Sequence, residues 1–238
     1  MTSRGALLLT AARATKGFMP DEEGLCLADV AERAATAGHT SIVEIGAYCG
    51  RSTLYLASGV ARALDAGASA AVIFSVDHHH GSEENQRGWE HHDASLVDRY
   101  TGRIDTLPHW RRAISSAGAE DLAVAVVGDS PAVAARWTVR AGLVFIDGGH
   151  GEAPAWADYL GWAPRVAEGG WLAIHDVFPD PADGGRPPFE IYSRALSGGE
   201  FTEELSAGTG SLRVLRRVTP PPDASRSRPR GSDPPMNS

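Results

Sequence analysis

The stretch V-E-I-G-A-Y-C-G-R-S-T, residues 43–53, decides how the rest of the chain is read. A short apolar run enters two glycines and then a helical pattern, the strand–loop–helix turn with which open α/β sheets build nucleotide pockets. Spacing separates the pockets that begin this way. A phosphate-binding loop needs G-x-x-x-x-G-K-[ST]; here the loop is one residue short and carries Arg51 in place of the lysine. A dinucleotide fingerprint needs G-x-G-x-x-G, and the middle glycine that admits a pyrophosphate is absent between Gly46 and Gly50. What remains is an acid, Glu44, just ahead of the first glycine, and a second acid, Asp77, closing the next apolar run A-V-I-F-S-V.

Outward from this turn, apolar β-branched runs alternate with helical patterns, the signature of a parallel sheet covered by helices. Strands are predicted over residues 41–46, 71–76, 122–127, 143–147 and 170–176, each ending in or followed by Gly or Asp. Helices are predicted over 52–64, 131–137, 153–166 and 189–196, with one near Trp110 and two ahead of the first strand, near 7–16 and 25–37. The closing run F-T-E-E-L-S-A-G-T-G-S-L-R-V-L-R-R-V reads as two strands about a glycine turn, a hairpin at the sheet edge. The expected fold is α/β and Rossmann-like: a mostly parallel seven-stranded sheet with a C-terminal antiparallel hairpin and helices on both faces. Residues 1–217 form one expected domain, with helices in 1–40 and an insertion at 78–106; residues 218–238, rich in Pro, Ser and charge, are expected to be disordered.

Composition narrows the partners. A formal net charge of -8 over 238 residues argues against a nucleic-acid backbone, which needs clustered Lys and Arg. No run approaches the roughly 20 apolar residues that cross a bilayer, so no membrane partner and a cytoplasmic location are expected. The two cysteines, Cys26 and Cys49, cannot form a disulfide framework, and neither is assigned a redox role. The apolar N-terminal helices suggest packing on the sheet or on a second subunit, hence a homodimer.

With Glu44, the glycine loop and Asp77 in place, the chain resembles the class I S-adenosyl-L-methionine (SAM)-dependent methyltransferases, whose cofactor has a charged amino-acid end and a ribose but no phosphate. The resemblance implies a SAM pocket made by Glu44, Gly46, Tyr48, Gly50, Ser52, Asp77, His78 and Asp147. Asp77 would accept hydrogen bonds from the ribose hydroxyls, and Asp129 and Ser130 of the G-D-S at 128–130 would lie near the adenine.

Two further strand ends, F-I-D-G-G-H at 145–150 and L-A-I-H-D-V at 172–177, fall on the same edge of the sheet. Asp147, His150, His175 and Asp176 should therefore converge. Hard carboxylate oxygens at neighbouring strand ends suit Mg²⁺, which takes few protein ligands and keeps several waters. This pair of motifs resembles the metal-dependent O-methyltransferases, and more closely their sugar-modifying branch. That resemblance implies Asp147, His175 and Asp176 as metal ligands and His150 as the base. The macrolide-sugar type has a carboxylate where this chain has His175, a departure at that ligand. The run D-H-H-H-G-S-E-E-N-Q, with F-I-D-G-G-H-G-E and I-H-D-V-F-P-D-P-A-D-G-G, is similar to the 1-O-methyltransferases of methylmannose polysaccharide precursors, over residues 17–218. It implies as substrate a small oligosaccharide or glycoside, methylated on the reducing-end 1-hydroxyl of a short 3-O-methylated mannoside. A macrolide sugar or other natural product, or a non-catalytic SAM-binding role, stands beside that reading.

The insertion at 78–106 has the length of a loop that covers a site. Its histidines 78, 79, 80, 91 and 92 have no cysteine beside them, and adjacent histidines rarely share one ion, so zinc is disfavoured. Trp89 is expected to stack on a sugar face, with Glu83, Glu84 or Asn85 bonding hydroxyls, and Arg186 and Tyr192 to form a second wall.

Overall fold

The strand ends meet because their registers match. In the computed structural model, which describes residues 2–89, 91–180, 182 and 185–218, seven strands form one sheet in the order β3-β2-β1-β4-β5-β7-β6. β1 (Ser41–Ile45), β2 (Val72–Asp77), β3 (Ala123–Val127), β4 (Ala141–Ile146) and β5 (Val166–Ile174) run parallel. β6 (Phe201–Thr209) and β7 (Leu212–Arg217) are the antiparallel edge hairpin. Ile45 sits opposite Val76 on one side and Ile146 on the other, and Ile146 sits opposite Ile174. The next residues out, Gly46, Asp77, Asp147 and His175, therefore leave the sheet at one level. β1 lies between β2 and β4, where strand order reverses, the place at which open α/β sheets bind ligands.

Alternation along the strands divides the core. Ile42, Ile73, Leu143, Phe145 and Trp171 face α1 (Arg4–Ala14), α2 (Asp21–Thr36), α3 (Arg51–Asp65) and α4 (Leu107–Ser116). Val43, Val76, Val144, Ile146 and Leu172 face α5 (Ser130–Ala134), α6 (Glu152–Trp162) and α7 (Arg186–Ser197). The helices lie on both faces, as expected. The apolar faces of α1 and α2, on which the expectation of a homodimer rests, are covered within the chain: Leu8, Leu27 and Ala31 join the cluster that holds Leu54, Leu56 and Val60 of α3.

Three predicted elements need correction. The helix expected over 153–166 stops at Trp162; a 3-10 turn, Ala163–Arg165, contains Pro164, and Val166 already opens β5. β5 consequently begins four residues before its predicted start. Its register against β4 jumps between Ala141 and Leu143, a bulge that absorbs Gly169 and Gly170, and glycines inside a strand are easily mistaken for its end. The helix expected over 131–137 is only Ser130–Ala134. Residues 219–238, where the disordered tail is expected, lie outside the described residues. Among the described residues, no helix is long and apolar enough to cross a membrane.

The insertion is more ordered than its composition suggests. It holds two 3-10 turns, Glu83–Asn85 and Ala94–Leu96, and a bridge between Val97 and Ile104. Leu96 and Ile104 pack on Cys49 of the glycine loop, which anchors the insertion to the pocket it covers. Cys49 is thus a packing residue, its thiol pushed up to about 11 by burial.

Candidate active site

A cavity of about 850 Å³ opens at the carboxyl edge of the sheet, within the range of small-molecule sites. Gly46 forms its floor. Its φ is +86°, and a Cβ there would stand 2.1 Å from the Asp147 carbonyl oxygen, so only glycine lets β1 and β4 end side by side. The loop behind it is shaped by Asp77: Oδ2 accepts from the backbone N–H of Ala47 at 3.0 Å and Tyr48 at 2.8 Å, and Oδ1 from His79 at 2.6 Å. A carboxylate offers about four lone-pair sites, so three loop bonds leave capacity for one hydroxyl. Tyr48, His78, Asp129, Ser130 and Ser52 also line the cavity. The Ser130 hydroxyl is already engaged, donating to Asp158 at 2.5 Å and accepting from Trp162 Nε1 at 2.8 Å.

Two residues predicted for the cofactor stand back from it. Glu44 is fully buried beneath the loop rather than on the cavity wall. Its Oε1 accepts from Ser52 Oγ at 2.5 Å, and Oε2 accepts from Thr53 Oγ1 and Ser75 Oγ, both at 2.6 Å. Burial pushes this carboxyl up to about 7 despite the three hydroxyl donors that favour its charge. Glu44 therefore pins the start of α3 and the middle of β2 to β1. Gly50, with φ +96°, caps α3 and abuts Trp110.

The two motif ends do converge. One oxygen or nitrogen from each of Asp147, His175 and Asp176 lies within 4.8 Å of the others. His175 Nδ1 is 3.0 Å from Asp147 Oδ1 and 3.1 Å from Asp176 Oδ2. His150 joins through Nε2, 2.8 Å from Asp176 Oδ2, and its Nδ1 is 3.3 Å from Glu84 Oε1 of the insertion. Burial alone would lower His150, but the Asp176 bond and the charges of Asp176, Glu84 and Asp147 outweigh it and raise it to about 9. Asp176, opposed by burial, is held well below the usual carboxylate range by His150 and His175. Burial raises Asp147, against the pull of His175. Asp176 also adopts φ +56°, a strained backbone for a non-glycine residue that turns its carboxylate back toward β4.

The donor set fits a divalent cation. Neighbouring ligands of an octahedral ion with bonds of about 2.1 Å are roughly 3.0 Å apart, which the 3.0 and 3.1 Å separations of His175 Nδ1 from Asp147 Oδ1 and Asp176 Oδ2 match. Charge agrees. Glu23, Glu84, Asp147 and Asp176 surround two imidazoles, so with every group ionised two negative charges remain unmatched. Among the described residues this is the one such cluster. The insertion histidines go elsewhere: His79 to Thr106 at 2.8 Å, His80 to the Ile104 carbonyl, His92 to the Asn85 carbonyl, and His91 against the Phe18 ring.

Over the cavity, Trp89 stands 61% exposed at the rim, with Glu83 and Glu84 beside it. Phe18, between α1 and α2, packs between Tyr48 and His91, and Lys16 pairs with Asp93, so the N-terminal linker clasps the insertion. The second wall is not formed as predicted. Arg186 is bonded to Glu190 at 2.6 Å and Tyr192 to Glu203 at 2.9 Å; neither lines the cavity, whose wall there is Phe178. Sequence reasoning also missed Asp158, a buried cavity residue raised to about 6 by desolvation, and Glu23, which reaches His175 from α2.

Residues 43–177, more than half of the chain, match the family described as a methyltransferase domain, and the chain belongs to that family. The protein is a SAM-dependent methyltransferase. Solved structures share the fold. An O-methyltransferase from Bacillus cereus in complex with SAH (S-adenosylhomocysteine) is 15% identical with a TM-score of 0.58, covering 92% of each chain. The O-methyltransferase TomG from Streptomyces achromogenes, involved in tomaymycin synthesis and solved with SAM, is 12% identical, TM-score 0.58, covering 92% of this chain and 91% of its own. The O-methyltransferase NovP is 16% identical, TM-score 0.59, covering 81% and 78%.

Proposed function

We propose that the protein is an O-methyltransferase that moves the SAM methyl group to a sugar hydroxyl, the 1-hydroxyl at the reducing end of a short 3-O-methylated mannoside. The observation that carries this reading is the meeting of Asp147, His175, Asp176 and His150 on the same cavity as the glycine loop. Polar and aromatic groups on the covering insertion, Glu83, Glu84 and Trp89, support a hydroxyl-rich acceptor with a flat face.

The chemistry is an in-line displacement. The acceptor oxygen bonds to the methyl carbon as the S–CH₃ bond breaks; its electron pair stays on sulfur, giving SAH, and the hydroxyl proton must leave. Asp147, His175 and Asp176 would hold Mg²⁺, which when bound fixes a chelated hydroxyl and lowers its pKa. His150 is the proton acceptor. In the bare arrangement the Asp176 bond keeps a proton on His150 at neutral pH. Were Asp176 committed to a cation, Nε2 would lose the partner that stabilises its proton and could receive one from the acceptor. Glu84 holds the ring from the other side. The insertion clasped over the cavity would limit the water that competes as nucleophile.

Tritiated-methyl transfer from SAM, run with Mg²⁺ against mannosides, glucosides and macrolide sugars, tests the acceptor. The 3-O-methylated mannosides should be labelled at least about tenfold faster than glucosides, a modest discrimination for a site that bonds particular hydroxyls. TomG, of the same fold and involved in tomaymycin synthesis, motivates the competing natural-product acceptor. Labelling of macrolide sugars in preference to mannosides would establish it instead.

A further inference from the structure

We infer that Glu23 is a positioning residue for the cation site: its carboxylate holds the His175 ring so that Nδ1 faces the point where Asp147 and Asp176 meet. The inference rests on the proposal that those three side chains take a divalent cation. Glu23 lies in the first turn of α2, ahead of the stretch that matches the family, and is 3% exposed. Its Oε2 is 2.5 Å from His175 Nε2, the nitrogen that points away from Asp147 and Asp176. Its Oε1 accepts from Ser211 N at 2.5 Å and Ser211 Oγ at 3.1 Å.

Those bonds fix the carboxylate from two directions. The hairpin turn is built around it: Gly210 has φ +55°, and a Cβ there would stand 2.1 Å from Glu23 Oε1. The Ser211 carbonyl accepts from Val177 N at 2.9 Å, so the same turn grips the segment leaving β5. Backbone bonding of His175 N to the Ile146 carbonyl at 3.1 Å and the Phe145 ring, centroid 6.3 Å away, complete the cradle. A histidine whose outer nitrogen donates to a carboxylate presents its inner nitrogen as a ligand with fixed direction, and loss of such partners typically costs about 10- to 100-fold in metal affinity. A tie that only docked α2 on the sheet would have no need for the ring's inner nitrogen to lie at hydrogen-bond distance from both candidate ligands.

The test is Mn²⁺ binding to the full chain, followed by electron paramagnetic resonance, with SAH affinity and thermal melting measured alongside. In Glu23→Gln the amide oxygen satisfies Ser211 and the amide N–H₂ meets His175 Nε2, which must then accept and place the ring hydrogen on Nδ1. Mn²⁺ affinity should fall by about 10- to 100-fold while SAH affinity stays within about twofold. Ser211→Ala, which removes one tie to the turn but leaves His175 bonded, should keep Mn²⁺ affinity within about twofold of wild type. Folded Glu23→Gln with wild-type Mn²⁺ affinity overturns the inference, as does equal loss in both variants. Wild-type protein that binds no Mn²⁺ overturns the cation reading, and the inference with it. Should Glu23→Gln fail to fold, ¹⁵N-histidine spectra of the wild type decide: added Mg²⁺ should shift His175 at Nδ1, and a shift at Nε2 instead contradicts the assignment.

Discussion

Replacing His150 by alanine is expected to lower turnover by roughly 10²- to 10⁴-fold, the usual contribution of a positioned base, while SAH affinity stays within about twofold of wild type. The separation follows from geometry. His150 touches Asp176 and Glu84, whereas the loop that shapes the cofactor pocket is tied by Asp77 and, beneath it, by Glu44. Removing the ring also takes away a partner of Asp176, so His150→Gln is the necessary companion: it can bond Asp176 but cannot accept a proton from the acceptor. Both variants should be slow in single-turnover methyl transfer, and both should bind SAH by calorimetry. Turnover near wild type in either would remove His150 from the reaction.

Glu44→Ala is expected to be the most destabilising single change near the site. It takes the acceptor from three buried hydroxyls, on Ser52, Thr53 and Ser75, of which only Thr53 and Ser75, 3.4 Å apart, can turn to each other, and it leaves a void under the glycine loop. At about 1 kcal/mol or more for each unpaired group, plus the cavity, the loss should be roughly 3 to 5 kcal/mol. A chain of this size would then melt about 10 °C lower. Glu44 also gives the wild type a pH signature. Burial raises its folded-state value to about 7 from an ordinary 4.5, so the folded chain binds the proton more tightly than the unfolded one. Its contribution is complete below about pH 4.5 and is lost as pH rises through about 7. Glu44→Gln cannot titrate, and its melting temperature should lack that part of the decline between about pH 5 and 7.5. Parallel pH profiles for wild type and Glu44→Gln would show that the carboxyl is charged throughout.

Much of this is legible in the sequence. The parallel strands announced themselves as apolar runs closed by Gly or Asp, and the shared level of Gly46, Asp77, Asp147 and His175 followed from their being strand ends of one sheet. What escaped was whatever depends on side-chain direction or distant partners. Glu44 and Asp77 look alike in the sequence, acids at strand ends, yet Glu44 precedes the last strand residue and points beneath the loop, while Asp77 is itself the last residue and reaches the loop N–H groups. Glu23 carried no signal, because an acid in the first turn of a helix is common for reasons of the helix dipole and its partner lies 152 positions away. Arg186 and Tyr192 follow the second motif closely enough to suggest a wall, but α7 directs Arg186 to Glu190 and packs the Tyr192 ring on the core with its hydroxyl on Glu203. The early start of β5 was hidden by a glycine bulge that reads as a loop.

The account rests on one cation shared by the ends of β4 and β5. Its most direct measurement is methyl transfer by protein dialysed against EDTA, assayed before and after Mg²⁺ is restored with SAM and a mannoside acceptor in excess. Turnover should fall below about one hundredth of the starting rate, since a bound metal supplies several kcal/mol of stabilisation to a developing alkoxide, and should return with Mg²⁺ in the wild type but not in Asp176→Asn. Full turnover in EDTA, or recovery of Asp176→Asn to the wild-type rate, would contradict it.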